Sequence, residues 1–349
     1  MTAKGNAIII HGGGLVDPSK VVLMRIANNL DYLKVYNKVF IGKYSFESLY
    51  KPEFWTEYNW RLVEKLKTKR GSYFGTSRDI DLTDPILSKR AITCLKDNNI
   101  STVIVAGGDG SSRQAAEISN TLMENGINII FAIPLTIDGI NGGESIGLKQ
   151  AVRESVRQTE NIVSTSLETR DNEKFGVVIV ELQGRNRDDV MANVLRTFYK
   201  KRSVADCDFA DLLLRVVPAN IETNEEKLYE EIITSNKRTL ILISEGAEIK
   251  LSKFSERIGK KRKVRSLIVG HPSQSNNMTT EDDEHEYSLW IDQITDIIAQ
   301  YRNESFCIVK NGVFYKSPID YYAKLNPRDG QKAELSEDLI GLMELYMAR

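Results

Sequence analysis

Val103-Ile104-Val105-Ala106-Gly107-Gly108-Asp109-Gly110-Ser111-Ser112 and, further along, Ile133-Pro134-Leu135-Thr136-Ile137-Asp138-Gly139 share one design. In each, a short β-branched run stops abruptly in small residues with a single carboxylate at its tip. Such runs mark strands buried on both faces, as in parallel sheets. Two strand ends built this way present Asp109 and Asp138 beside backbone that Gly107, Gly108 and Gly110 leave bare. That is chemistry for a polyphosphate and its Mg²⁺. Bare N–H groups approach phosphate oxygens, the helix beginning near Ser111 points its positive end at them, and a carboxylate holds the metal directly or through water. Gly-Asp-Gly is also a common turn sequence, and either aspartate can instead cap the helix that follows. Repetition of the design in succession favours the ligand.

Upstream, Ala7 to Ile10 runs into His11-Gly12-Gly13-Gly14, after which Val21, Val22, Met24, Ile26 and Leu30 recur at helical spacing. This reads as strand, glycine loop and helix, with Pro18 in the first turn and Asp17 or Ser19 as cap. Gly13 and Gly14 are a second candidate phosphate contact, or a plain tight turn. His11, among strand residues, reads as structural. Residues 38–42 form the next strand, and the aromatic segment after it reads as helical core packing around Trp60, Val63 and Leu66 rather than as a base-stacking surface. Residues 70–78 form a small-residue loop whose Arg78 suits a phosphate, or a solvated turn. A helix carrying Ile86, Leu87, Ala91, Ile92 and Leu95 leads into the opening strand.

Downstream, a long helix begins near Leu148 with Val152, Val156, Ile162 and Val163 as its buried stripe. Three further apolar runs are strands. Residues 175–182 end in Gln183-Gly184-Arg185, residues 239–244 in Glu245-Gly246, and residues 265–270 carry Arg265 at one end and His271 just beyond the other. Strands alternating with helices predict open parallel α/β sheets with ligands at the strand ends.

The 349 residues, 41% apolar and 27% charged, suffice for a sizeable core in two domains. With 47 basic and 48 acidic residues, net charge −1, nothing global points to nucleic acid or to an anionic membrane. The basic run 260–263 is balanced by the acidic run 281–284, and both read as solvated surface. Cys94, Cys207 and Cys307 are unpatterned, which fits a reducing cytoplasm and no CxxC metal site. No leader pattern or membrane-length apolar run is present, so the expected location is cytoplasmic.

Taken in order, GGDGS at Gly107–Ser111, TID at Thr136–Asp138, ELQGR at Glu181–Arg185, SEGA at Ser244–Ala247, and Arg265 with His271 resemble the ATP-dependent 6-phosphofructokinase family, from Ile8 to about Tyr346. The resemblance implies two Rossmann-like parallel-sheet domains with the active site between them. Residues 1–149 plus about 273–325 would bind nucleotide, and 150–272 plus about 326–349 the sugar phosphate. It implies ATP and Mg²⁺ as cofactors, a glycolytic sugar-phosphate substrate, and a homo-oligomer, dimer or tetramer, whose neighbouring subunit completes the sugar site. By position, Asp109 is the Mg²⁺ carboxylate and Asp138 the base for the attacking hydroxyl. Thr136 contacts the sugar or the transferring group, and Arg78 and Arg185 stabilise its charge. Gly13, Gly14, Gly107, Gly108, Gly110 and Ser111 line the nucleotide. Gln183, Gly184 and Glu245 meet the sugar, while Arg265, His271 and Gln274 approach its phosphate.

Gly110 favours ATP, since pyrophosphate-using members commonly carry aspartate there, while Leu135 matches neither branch. The departures fall on the acceptor. The second loop aspartate of the family is Gly139 or Ile140 in a shorter loop, and the usual methionine is Gln183. An arginine facing the sugar phosphate is Gln274, and another, expected at the start of the Val177 strand, is missing where Gly176 stands, with Arg170, Lys174 or Arg187 as substitutes. Each hydrogen bond to a charged group contributes roughly 1.5–3 kcal/mol, so losing two weakens sugar-phosphate binding roughly 10²–10⁴-fold. The expected activity is an ATP- and Mg²⁺-dependent kinase with fructose 6-phosphate as default acceptor. A kinase of another, unphosphorylated sugar or polyol and a non-catalytic nucleotide sensor are the alternatives.

Overall fold

A computed structural model of the chain describes residues 5–13, 18–62, 74–77, 80–136, 145–167, 176–184, 188–203, 212–270, 280–325 and 337–347. The chain divides into two compact units, Met1–Gly147 with Gln274–Asn326, and Leu148–Ser273 with Pro327–Arg349. The first unit opens with β1 (Asn6–Gly12), α1 (Ser19–Tyr32), β2 (Val39–Gly42) and β3 (Trp55–Glu57). It continues through α2 (Pro85–Asp97), β4 (Ile100–Gly107), α3 (Asp109–Met123), β5 (Asn128–Thr136) and β6 (Ile146–Gly147). The second unit holds α4 (Leu148–Leu167), β7 (Val177–Leu182), α5 (Asp189–Ser203), β8 (Leu213–Val217) and α6 (Glu225–Thr234). It then adds β9 (Thr239–Ser244), α7 (Leu251–Gly259) and β10 (Val264–Val269). The chain returns to the first unit with α8 (Glu281–Tyr301), β11 (Phe306–Asn311), β12 (Val313–Ser317) and α9 (Tyr321–Leu325), and α10 (Glu337–Glu344) belongs to the second.

The first sheet has the order β12-β11-β5-β4-β1-β2-β3, with β6 beside β5. Its centre is parallel, as the continuous apolar runs predict, and its edges β3 and β12 are antiparallel, which the sequence reading did not anticipate. Ile8, Ile10, Val103, Val105, Ile129 and Phe131 alternate onto one face, where Ala91 and Leu95 of α2 and Ala115, Ile118 and Leu122 of α3 cover them. The buried side chains of α1, among them Val22, Leu23 and Ile26, lie outside that cluster. Their helix packs on α8 instead, where Asn29 Nδ2 donates to Asp292 Oδ1 at 2.9 Å.

The acidic run 281–284 is the start of α8: the Thr280 hydroxyl accepts from Asp283 N–H and the Asp283 carboxylate from Thr280 N–H, a capping box in the helix's positive first turn. The aromatic segment departs from expectation. Residues 60–62 are helical, but Trp60 is 66% exposed rather than core, and the segment before it forms two 3₁₀ turns, Ser45–Tyr50 and Pro52–Phe54. Tyr44 and Ser45 at positive φ and the break at Pro52 stop a longer helix, and Phe46 and Leu49 enter the core instead. Val63 and Leu66 lie outside the described residues. The start of α1 also differs, with Pro18 at the cap position and no side-chain capping bond.

The second sheet, β10-β7-β9-β8, is wholly parallel. Val178, Val180, Leu240 and Leu242 face Leu195 and Phe198 of α5, while Ile179, Ile241 and Ile243 face Leu228 and Ile232 of α6 and Phe254 of α7. Arg262 departs from the solvated reading of the basic run. It is buried, and its guanidinium donates to the carbonyls of Ile232 and Lys237, stapling the end of α6 to the start of β9. Among the described residues no helix is long and apolar enough to cross a membrane.

Candidate active site

In the first sheet β1 is followed by β2 on one side, while β4 and β5 lie on the other, so the strand order reverses between β1 and β4. Helices leave the two tips toward opposite faces and open a crevice there, the usual ligand position of an open α/β sheet. Both tips are glycine. A Cβ on Gly107 would lie 1.8 Å from the Gly12 carbonyl oxygen, so the two backbones approach as only glycine allows. Gly13, at φ +94°, lies over the Gly108 amide, and the Gly108 tip faces Thr136, the buried last residue of β5. Ser111 Oγ is tucked against Gly12 and Gly107 and closes the join from behind.

Asp109 is the first residue of α3, and Gly108 at the cap position supplies no side chain to the helix's N-terminal N–H groups. Gly110 is exposed, and a Cβ there would meet nothing within 4 Å. One tip thus gathers Gly13, Gly107, Gly108, Asp109, Gly110, Ser111 and Thr136. Gly12, which the sequence reading passed over, belongs to it equally.

The second unit has its own strand-end cluster. Glu245, just past β9, donates its N–H to Leu182 O at 2.9 Å, and its Oε2 accepts a long 3.4 Å bond from the N–H of Gly184. Gly184 sits at φ +123°, which favours glycine. Glu181 is pushed above the usual carboxylate range by burial and secondarily by the Glu245 charge, with Lys250 opposing. Gln183 is buried at the same tip. Arg265 is not brought to this group. It is exposed on the edge strand β10 opposite Val178, roughly 13 Å along the strand from the Leu182 tip at about 3.3 Å per residue.

Gly14, Arg78, Asp138, Arg185, His271 and Gln274 lie outside the described residues. His11, read as structural, is fully buried at the end of β1. Burial pushes its imidazole down to about 4, and among the described residues neither ring nitrogen has a hydrogen-bond partner, while the ring meets Phe74 edge-on.

The model of the family described as Phosphofructokinase matches residues 6–289. The chain belongs to the phosphofructokinase family. Among curated phosphofructokinases, the ATP-dependent 6-phosphofructokinase of Mannheimia succiniciproducens is 24% identical over 216 residues, 60% of this chain and 60% of that protein. That of Haemophilus influenzae is 23% identical over 260 residues, 72% of this chain and 71% of that protein. Among solved structures, the Pichia pastoris phosphofructokinase in its T-state superposes with a TM-score of 0.73 at 16% identity, covering 99% of this chain and 39% of that one. A pyrophosphate-dependent phosphofructokinase from Marinobacter aquaeolei superposes with a TM-score of 0.70 at 14% identity, covering 99% of this chain and 92% of that one. At these identities the superpositions speak for the phosphofructokinase fold alone.

Proposed function

We propose that this phosphofructokinase-family chain transfers the γ-phosphoryl group of ATP to a sugar-phosphate hydroxyl, by default converting fructose 6-phosphate to fructose 1,6-bisphosphate. The observation that carries the reading is Gly110. Glycine inside a helix costs about 0.5–1 kcal/mol relative to alanine, and among the described residues none lies close enough to this one to require it. A bulky phosphoryl donor seated over the glycine tips does require it, which favours ATP over pyrophosphate.

The donor set suits Mg²⁺ carried in with the nucleotide. Among the described residues no cluster of three or more ligating side chains exists, and Asp109 stands as one carboxylate in a helix's first turn. Mg²⁺ keeps most of its shell as water and phosphate and needs only one or two carboxylates. When bound it neutralises charge on the phosphates.

The residues of the chain do the rest. Gly13, Gly14, Gly107, Gly108 and Ser111 shape the donor cradle. Asp138, two residues past Thr136, takes the proton of the attacking hydroxyl, a role contributing typically about 10²–10⁴ in rate. Arg78 and Arg185 meet the charge of the group in transit, with Thr136 beside it. Glu245, Gly184 and Gln183 receive the sugar hydroxyls. Arg265, remote from Glu245 in its own sheet and exposed on an edge strand, serves the site of a second copy, together with His271 and Gln274, so the working form is a homo-oligomer. The unpaired Cys94 and Cys307 suit a reducing cytoplasm.

A screen of ADP release with Mg-ATP across phosphorylated and unphosphorylated sugars tests this reading. Turnover confined to sugar phosphates is expected. Turnover confined to unphosphorylated acceptors overturns the acceptor and leaves the kinase, whereas no turnover with any acceptor removes the kinase as well.

A further inference from the structure

Asp188 is fully buried immediately before α5, and no motif of the sequence drew attention to it. Its backbone carbonyl opens the helix by accepting from Ala192 N–H at 2.7 Å. Its carboxylate serves other elements. Oδ1 accepts from Ala219 N–H at 2.8 Å and from the Ser244 hydroxyl, and Oδ2 accepts from Asn220 N–H at 3.0 Å. A capping aspartate bonds the first-turn N–H groups of its own helix. Here the bonds of the carboxylate come instead from the ends of β8 and β9. A buried carboxylate is costly unless its lone pairs are filled, and donors from two neighbouring strand ends fill these.

Ser244 is bonded through its hydroxyl to Asp188 and through the chain to Glu245, whose carboxylate in turn receives Gly184 N–H. The contacts link Gly184 through Glu245 and Ser244 to Asp188. We propose that Asp188 is a positioning residue for the acceptor. It clamps the tips of β8 and β9 to the start of α5 and so fixes the Glu245 carboxylate. The inference rests on the reading of Glu245 as an acceptor contact.

The test pairs kinetics with hydrogen exchange on the full chain, using Mg-ATP and fructose 6-phosphate as probes. Asp188→Asn keeps the shape but turns an amide NH₂ toward an N–H or O–H donor. Ser244→Ala removes one bond and leaves the carboxylate in place. The expected result is a KM for fructose 6-phosphate raised about tenfold or more in Asp188→Asn and less in Ser244→Ala, with kcat and the KM for ATP changed less than about twofold. The amides of Gly184 and Glu245 should exchange faster in both variants, while those of Ile179 and Ile241 in mid-strand stay unchanged.

Equal losses toward both substrates, or unchanged exchange at Gly184 and Glu245 in Ser244→Ala, overturn the proposal. If Asp188→Asn fails to fold, Ser244→Ala decides alone. If the wild-type chain turns over no fructose 6-phosphate, the proposed function falls on that result, and exchange in Ser244→Ala still settles whether Asp188 fixes the tip.

Discussion

The two strand-end clusters are built from opposite materials. At the tips of β1 and β4 the site is main chain, held close because Gly12, Gly13, Gly107 and Gly108 have no side chains to separate it. At the tips of β7 and β9 the site is carboxylate, with Glu181, Glu245 and Asp188 held by burial and by N–H and hydroxyl donors. The buried titratable groups differ in the same way, an imidazole at His11 without a hydrogen-bond partner among the described residues in one unit and a carboxylate at Asp188 accepting from three donors in the other. Phosphate oxygens ask for donors and for room, which bare backbone supplies. Sugar hydroxyls ask for directional acceptors, which placed carboxylates supply.

The largest expected effect falls on the proposed base. Asp138→Ala should lower kcat by about 10²–10⁴ while Mg-ATP binding, measured by calorimetry, persists. Turnover equal to wild type would remove Asp138 as base.

Next in size is a difference in stability against pH. The unfolded His11 imidazole titrates near 6.5 and the folded one at about 4, so the unfolded chain binds the proton first as pH falls. The contribution is therefore present above 6.5 and is lost as pH drops toward 4, by roughly 3 kcal/mol at about 1.4 kcal/mol per unit. Urea unfolding of His11→Leu should show a correspondingly flatter pH dependence than wild type over that window. Parallel curves would show that the imidazole is not held neutral.

Smaller again, Glu245→Gln should raise the KM for the sugar phosphate about 10–100-fold and leave the KM for ATP unchanged. An equal rise in both would merge the two sites that the comparison separates. The smallest effect is the most diagnostic of the glycine tip. Gly110→Ala should raise unfolding stability by about 0.5–1 kcal/mol, because the helix gains and nothing clashes, yet weaken nucleotide binding. Stability gained with affinity intact would return Gly110 to an ordinary helix position.

Much of this was legible in the sequence because it is local. A run such as Val103–Ala106 followed by Gly107-Gly108-Asp109-Gly110 states its own strand and its turn within a few residues. The buried centre of each sheet and the strand-end positions followed from the same pattern. What was missed depends on partners distant in the chain. Asp188 looks like any helix cap until Ala219, Asn220 and Ser244 arrive at it, and Arg262 looks like one cation of a surface run until the carbonyls of Ile232 and Lys237 turn it inward. Gly12 was visible only as half of a pair, since its role is to let Gly107 approach. The aromatic segment misled on burial, since Trp60 in the helical residues 60–62 faces solvent while Phe46 and Leu49 of the preceding turn enter the core.

The central claim is an intact donor half joined to an altered acceptor half. Initial rates of Mg-dependent ADP release, varied in ATP and in fructose 6-phosphate, test it most directly. The account predicts a KM for ATP inside the usual range of about 1 μM–1 mM and a KM for fructose 6-phosphate above it. A fructose 6-phosphate KM within that range with pyrophosphate replacing ATP as donor would contradict it.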